Sequence, residues 1–150
     1  MLGKEDFITV VKNTPLVSID LAVTANGVDM LMGQRVNQPA AGFWFVPGGR
    51  IYKSESLEAA FLRITETELG VAYPIGQGKL LGAFTHLYDT NFAEVPGIST
   101  HYVVLAYQLN LDIDLTHLPA QQHCAYRRFS LTDDLSLVHP NSQAYFPYLQ

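Results

Sequence analysis

With 150 residues and 48% hydrophobic content, the chain suits one compact domain with a real core. Nine Lys and Arg against 14 Asp and Glu give a net charge of −5, which argues against a nucleic-acid binder, since that needs a basic face to displace counterions. The single cysteine, Cys124, precludes an internal disulfide, the opening MLGKEDFITVVKNTP lacks a signal-peptide pattern, and no run approaches the roughly 20 apolar residues of a membrane span, so a cytoplasmic protein without a membrane partner is expected.

In chain order, residues 5–13 predict a short helix that ends before Pro15. LVSIDLAVTA (16–25) reads as a buried strand. Asn26-Gly27 is the strongest short hairpin signal, with VDMLMGQR (28–35) as the returning strand. VNQPAAG (36–42) has loop chemistry, and FWFVPGGR (43–50) predicts one short strand ending in a Pro-Gly-Gly turn. Residues 55–69 form the clearest helix, with Leu57, Phe61, Ile64 and Leu69 near helical spacing, Ser54 as N-cap and Gly70 at the stop. KLLGAFTHLYD (79–89) and STHYVVLAYQLN (99–110) are two further strands. Residues 112–124 look like a loop, 125–130 like a last strand, and 131–138 and 141–149 like short helices. Strands outnumber helices and one helix dominates, which predicts an α+β domain with a mixed sheet over residues 1–150.

The chemistry concentrates in GGRIYKSESLEAAFLRITETELG (48–70). Gly48 and Gly49 remove side chains where backbone must approach a ligand, and a backbone carbonyl there can face a metal ion. The loop feeds a helix on which positions 64, 67 and 68 share one face through i,i+3 and i,i+4 spacing. This segment resembles the Nudix box, G-x5-E-x7-R-E-U-x-E-E-x-G-U, where U is bulky and apolar. Gly49, Glu55, Arg63, Glu68, Gly70 and Val71 match at their spacing, Thr65 matches weakly, and Ile64 and Thr67 replace glutamates. The resemblance implies a Nudix-like α/β/α sandwich with a catalytic loop and helix.

The same departures, with GFWFVPGGR, LEAAF, THLYDTNF, THYVVL and NSQAYF, make nearly the whole chain similar to the branch of that family that hydrolyses GDP-mannose. That branch converts GDP-mannose or GDP-glucose to GDP and free sugar, with water attacking the anomeric carbon and inverting it. Where the general family uses three carboxylates, the helix face here keeps only Glu68, so one Mg²⁺ ion per site is the physical expectation, with Mn²⁺ possible because both accept oxygen ligands. The resemblance implies Glu68, the carbonyl of Gly48 and Gln122 as its protein ligands.

The remaining roles follow the same resemblance. His123 is the implied general base, and an unperturbed imidazole pKa near 6.5 suits that task. Arg35 and Arg50 stabilise charge growing on the departing diphosphate through bidentate hydrogen bonds, and Tyr102 is a further donor. Asp20 and His86 line the sugar side, where a carboxylate can stabilise an oxocarbenium-like transition state. Phe7 borders the nucleotide base. Glu55 and Arg63 brace the loop and orient Glu68, and Cys124 is a bland thiol. The implied partners are a small nucleotide-sugar and a second copy of the chain in a homodimer. Two other classes stay open: a pyrophosphatase attacking phosphorus, which Ile64 and Thr67 disfavour, and a non-catalytic sensor, which Glu68, Gln122 and His123 disfavour.

Overall fold

The computed structural model describes residues 2–38, 40–119 and 123–150, with His123 and Cys124 described through their backbone. Helix α1 (Lys4–Asn13) leads into β1 (Leu16–Thr24), whose Ile19, Leu21 and Val23 make one face apolar while Ser18, Asp20, Ala22 and Thr24 alternate on the other. One edge of β1 pairs antiparallel with β4 (Gly48–Arg50); the other pairs parallel with β6 (Thr100–Asn110), whose far edge carries antiparallel β5 (Lys79–Tyr88). The resulting mixed sheet has the order β4-β1-β6-β5. A second, antiparallel sheet places β2 (Met30–Arg35) between β3 (Trp44–Phe45) and β7 (His123–Phe129).

Helix α2 (Leu57–Leu69) covers one face of the mixed sheet. Its buried Ala60, Phe61, Ile64 and Leu69 recur at helical spacing and pack with Ile19, Leu21 and Leu109. Each of the large apolar side chains among them contributes about 1.5–3 kcal/mol on burial. The opposite face packs with the second sheet and the C-terminal segment, where Ala22 and Ala106 meet Met30, Met32, Tyr145 and Phe146. This is the mixed α+β architecture the sequence predicts. Among the described residues, no helix is long and apolar enough to cross a membrane.

Four local expectations are corrected. Asn26-Gly27 does not close a hairpin: β1 and β2 belong to different sheets, because β4 and β6 already occupy both edges of β1. Only Gly27 takes positive φ there (82°), and the Asn26 side-chain oxygen instead accepts the N–H groups of Val28 and Asp29 at 3.1 Å. The predicted strand over 43–50 is two strands in different sheets. The chain crosses between them at Val46-Pro47, where proline has no N–H for a ladder, and Gly48 and Gly49 lie in β4 instead of a turn. Ser54 sits at φ 65° and cannot cap; Ser56 does, accepting the Ala59 N–H at 3.1 Å. Residues 131–138 form turns and no helix, since Asp133 and Asp134 accept the N–H groups of Ser130 and Ser136. Further on, α3 (Pro140–Gln143) and a 3-10 turn (Phe146–Tyr148) occupy part of the predicted 141–149 helix.

Candidate active site

The edge position of β4 builds the site. Leu21 donates its N–H to the Pro47 carbonyl, and Ile51 donates to the Val17 carbonyl, both at 2.8 Å. By antiparallel alternation, Gly48, opposite Asp20, is then a non-hydrogen-bonded pair whose N–H and carbonyl both face away from β1. They face α2, where the Gly48 N–H donates to Glu68 Oε1 at 3.2 Å. A Cβ on Gly48 would lie 2.5 Å from Asp20 Oδ1 and 2.6 Å from the Ile19 carbonyl oxygen, so only glycine fits. Gly48 and Glu68 thus offer a backbone and a carboxylate oxygen to one spot, a donor set that fits a hard divalent cation. Among the described residues, no three acidic, imidazole or thiol groups converge as a cation site.

This corner opens into a cleft of about 350 Å³. Seven of the ten sequence-predicted site residues line it: Asp20 from β1, Arg35 from β2, Gly48 and Arg50 from β4, Glu68 from α2, His86 from β5 and Tyr102 from β6. Ile64 and Thr67 line it as well, on the helix face beside Glu68. Phe7 does not line the cleft; its ring lies 4.8 Å from Phe92 and 4.4 Å from the Arg50 guanidinium, so it reaches the site's rim through Arg50. Gln122 lies outside the described residues. The backbone of His123 pairs with Arg35 in the β2–β7 register, beside a cleft residue, while its side chain is outside the description.

Beneath the cleft, Tyr145 donates its hydroxyl proton to Asp20 Oδ2 at 2.6 Å. The same hydroxyl lies 3.3 Å from His86 Nε2. Burial raises the Asp20 carboxyl to about 7, a shift that the Tyr145 hydrogen bond and Arg35 charge reduce and the Glu68 charge increases. Burial, with a smaller effect of His139, lowers His86 to about 4, so its imidazole is neutral at pH 7. Burial likewise raises the Tyr102 hydroxyl, which therefore stays a proton donor at neutral pH.

The loop into α2 is held by Arg63. Its Nε and Nη2 donate to Glu55 at 2.7 and 2.9 Å, and Nη2 also donates to the Arg50 carbonyl at 2.7 Å. Glu55 in turn accepts the Tyr52 N–H at 3.0 Å. The predicted brace of the loop is therefore present, and it secures the backbone of Arg50.

Sequence reasoning assigned no role to Tyr145, Tyr88, Phe45 or His139. His139 stacks on Phe45 at 4.6 Å and lies 5.4 Å from Tyr88, forming an aromatic wall next to Arg35, whose guanidinium is 5.4 Å from the Phe45 ring. The segment NSQAYF contains Tyr145, but nothing in its local pattern announces a partner 125 residues away.

With this geometry in place, the comparisons with known proteins agree. The NUDIX domain family model matches residues 14–149, and the chain belongs to the Nudix family of hydrolases. A curated relative, the low-salt glycan biosynthesis protein Agl8 of Haloferax volcanii, is 37% identical over 147 residues, covering 97% of this chain and 85% of the relative. A MutT NUDIX hydrolase from Burkholderia pseudomallei superposes with a TM-score of 0.70 at 24% identity, over 92% of this chain and 100% of that one. The NUDIX domain of Shewanella oneidensis NrtR, solved with ADP ribose, gives 0.60 at 18% identity, over 98% and 96%. These structural likenesses establish the fold. Nudix hydrolases in general use divalent metal ions such as Mg²⁺.

Proposed function

We propose that this hydrolase splits GDP-mannose or GDP-glucose into GDP and free sugar by attack of water at the anomeric carbon, with inversion. The observation that carries the reading is the face α2 turns to the cleft: Ile64, Thr67 and a single carboxylate, Glu68. That set gives one divalent cation an anionic ligand and leaves a second without one. The glycan-biosynthesis name of the Haloferax relative supports a sugar-linked substrate.

Glu68, the Gly48 carbonyl and Gln122 would hold the ion. Bound there, Mg²⁺ would offset the charge of the diphosphate and make it a better leaving group. Arg35 and Arg50 bind the same phosphate oxygens and strengthen their hold as the bond from C1 to the β-phosphate oxygen breaks, its electron pair leaving with GDP. Water forms the new C1–O bond and gives its proton to His123, the general base. Asp20 faces the positive charge that develops at C1, with the neutral His86 beside it. Tyr102 donates to the leaving phosphate, and Phe7 borders the base at the rim. The protein is read as a homodimer in the cytoplasm.

The test is product analysis with GDP-mannose and Mg²⁺ in ¹⁸O-water. GDP with label in free mannose, released as the β anomer, is the expected result. GMP and mannose 1-phosphate would instead establish the conventional pyrophosphatase and overturn carbon attack. Absence of turnover on either nucleotide-sugar, with retained binding, would point to the sensor.

A further inference from the structure

We infer that Tyr145 is a positioning residue for the reaction: its hydroxyl, reaching up from beneath the cleft, fixes the Asp20 carboxylate so that one oxygen is turned toward the substrate. The inference rests on the reading of Asp20 as the carboxylate beside the sugar.

The two oxygens of Asp20 have different surroundings. Oδ2 accepts from the Tyr145 hydroxyl at 2.6 Å. Oδ1 lies against Gly48, where an added Cβ would come within 2.5 Å of it. One oxygen is thus anchored below, and the other stands beside the strand that presents the Gly48 backbone to the cleft. An aspartate without the anchor has a broad χ2 well, so the plane of its carboxylate can tilt and carry the free oxygen away from the substrate.

Tyr145 is well placed to hold such an anchor still. It is fully buried, its ring packs edge-on against Phe84 at 5.0 Å, and its N–H donates to the Ser142 carbonyl at 3.2 Å. Ser142 Oγ in turn accepts the Val46 N–H at 3.0 Å, at the crossing that leads into Gly48. The C-terminal segment therefore holds Asp20 directly through Tyr145 and the chain entering β4 through Ser142 and Val46. Phenylalanine would fill the same core space, so packing alone does not require the hydroxyl.

The Tyr145→Phe variant isolates that hydroxyl. Loss of the hydrogen bond that orients a carboxylate acting in the transition state predicts a kcat roughly ten- to a hundredfold lower. KM for GDP-mannose and inhibition by GDP should stay within about twofold, because uniform binding is untouched. In an Asp20→Asn background, adding Tyr145→Phe should lower kcat by less than about twofold, since the two groups act as one unit. A kcat unchanged by Tyr145→Phe, or an equal loss in both backgrounds, would overturn the inference. Crystals of Tyr145→Phe provide a readout that needs no turnover: Asp20 should be found turned or in two orientations, and an unmoved carboxylate refutes the anchor. The products of the wild-type protein test the carbon-attack reading separately, so the two can fail independently.

Discussion

Replacing Arg63 with methionine tests the brace that connects the loop to α2. The change removes two charge-assisted hydrogen bonds to Glu55 and one to the Arg50 carbonyl, while keeping most of the aliphatic stem. Glu55, whose side chain is only 15% exposed, keeps a single acceptor bond, from the Tyr52 N–H. Breaking a fully buried pair costs about 3–5 kcal/mol, and discounting for partial solvent access at Arg63 brings the expected loss to about 2 kcal/mol. In a chain of this length that lowers Tm by about 4–8 °C. The sign with pH follows from Glu55. The Arg63 hydrogen bonds hold its carboxyl below the ordinary value of 4.5, so the stabilisation is complete above that value and disappears as pH falls through the lower folded one. Urea unfolding of both proteins from pH 7 down to pH 3.5 should therefore show a gap that narrows only at the acid end. A gap absent at pH 7, or one as wide at pH 3.5, refutes the brace.

Four further outcomes are expected. Glu68→Gln keeps an acceptor for the Gly48 N–H and so should fold, but lose about a hundredfold or more in kcat together with Mn²⁺ affinity measured by electron paramagnetic resonance. Gly48→Ala forces backbone apart at 2.6 Å and should cost about 1–3 kcal/mol by calorimetry. Gly49→Ala meets first the Ile64 side chain, at 3.1 Å, and should cost less. His123→Gln should retain GDP binding by titration calorimetry yet lose about a hundredfold or more in turnover; a nearly unchanged rate removes His123 as the base.

The sequence discloses those parts of the fold that depend on local pattern. The apolar residues of β1, the helical spacing of Phe61, Ile64 and Leu69 in α2 and the Gly70 stop carry their own local signals, whereas the choice of Ser56 over Ser54 as the cap does not. The Asn26-Gly27 error is of another kind: the dipeptide suits a turn, but what pairs with β1 is decided by β4 and β6, far along the chain. Pro47 could have shown that FWFVPGGR is no single strand, since a proline there leaves a ladder without a donor. The site divides the same way. Glu55, Arg63 and Glu68 are legible because a loop and one helix space them, and Asp20, His86, Arg35 and Tyr102 were reached through family resemblance. Tyr145 was missed because its role depends wholly on a tertiary approach.

The charge balance of the cleft explains why the loss of two glutamates suits the proposed reaction. Three arginines line it, Arg35, Arg50 and Arg63, against Asp20 and Glu68. Arg63 is committed to Glu55, and Asp20, raised by burial to about 7, carries only part of its charge at neutral pH. Arg35 and Arg50 then outweigh Glu68, so a chain of net charge −5 presents a locally cationic cleft. Carboxylates at 64 and 67 would reverse that balance unless further cations came with them. Ile64 is also almost fully buried against Ile19 and Phe61, where an unpaired glutamate would be costly. In the proposed reaction one cation and two guanidinium groups would withdraw charge from the departing diphosphate, while Ile64 packs in the core.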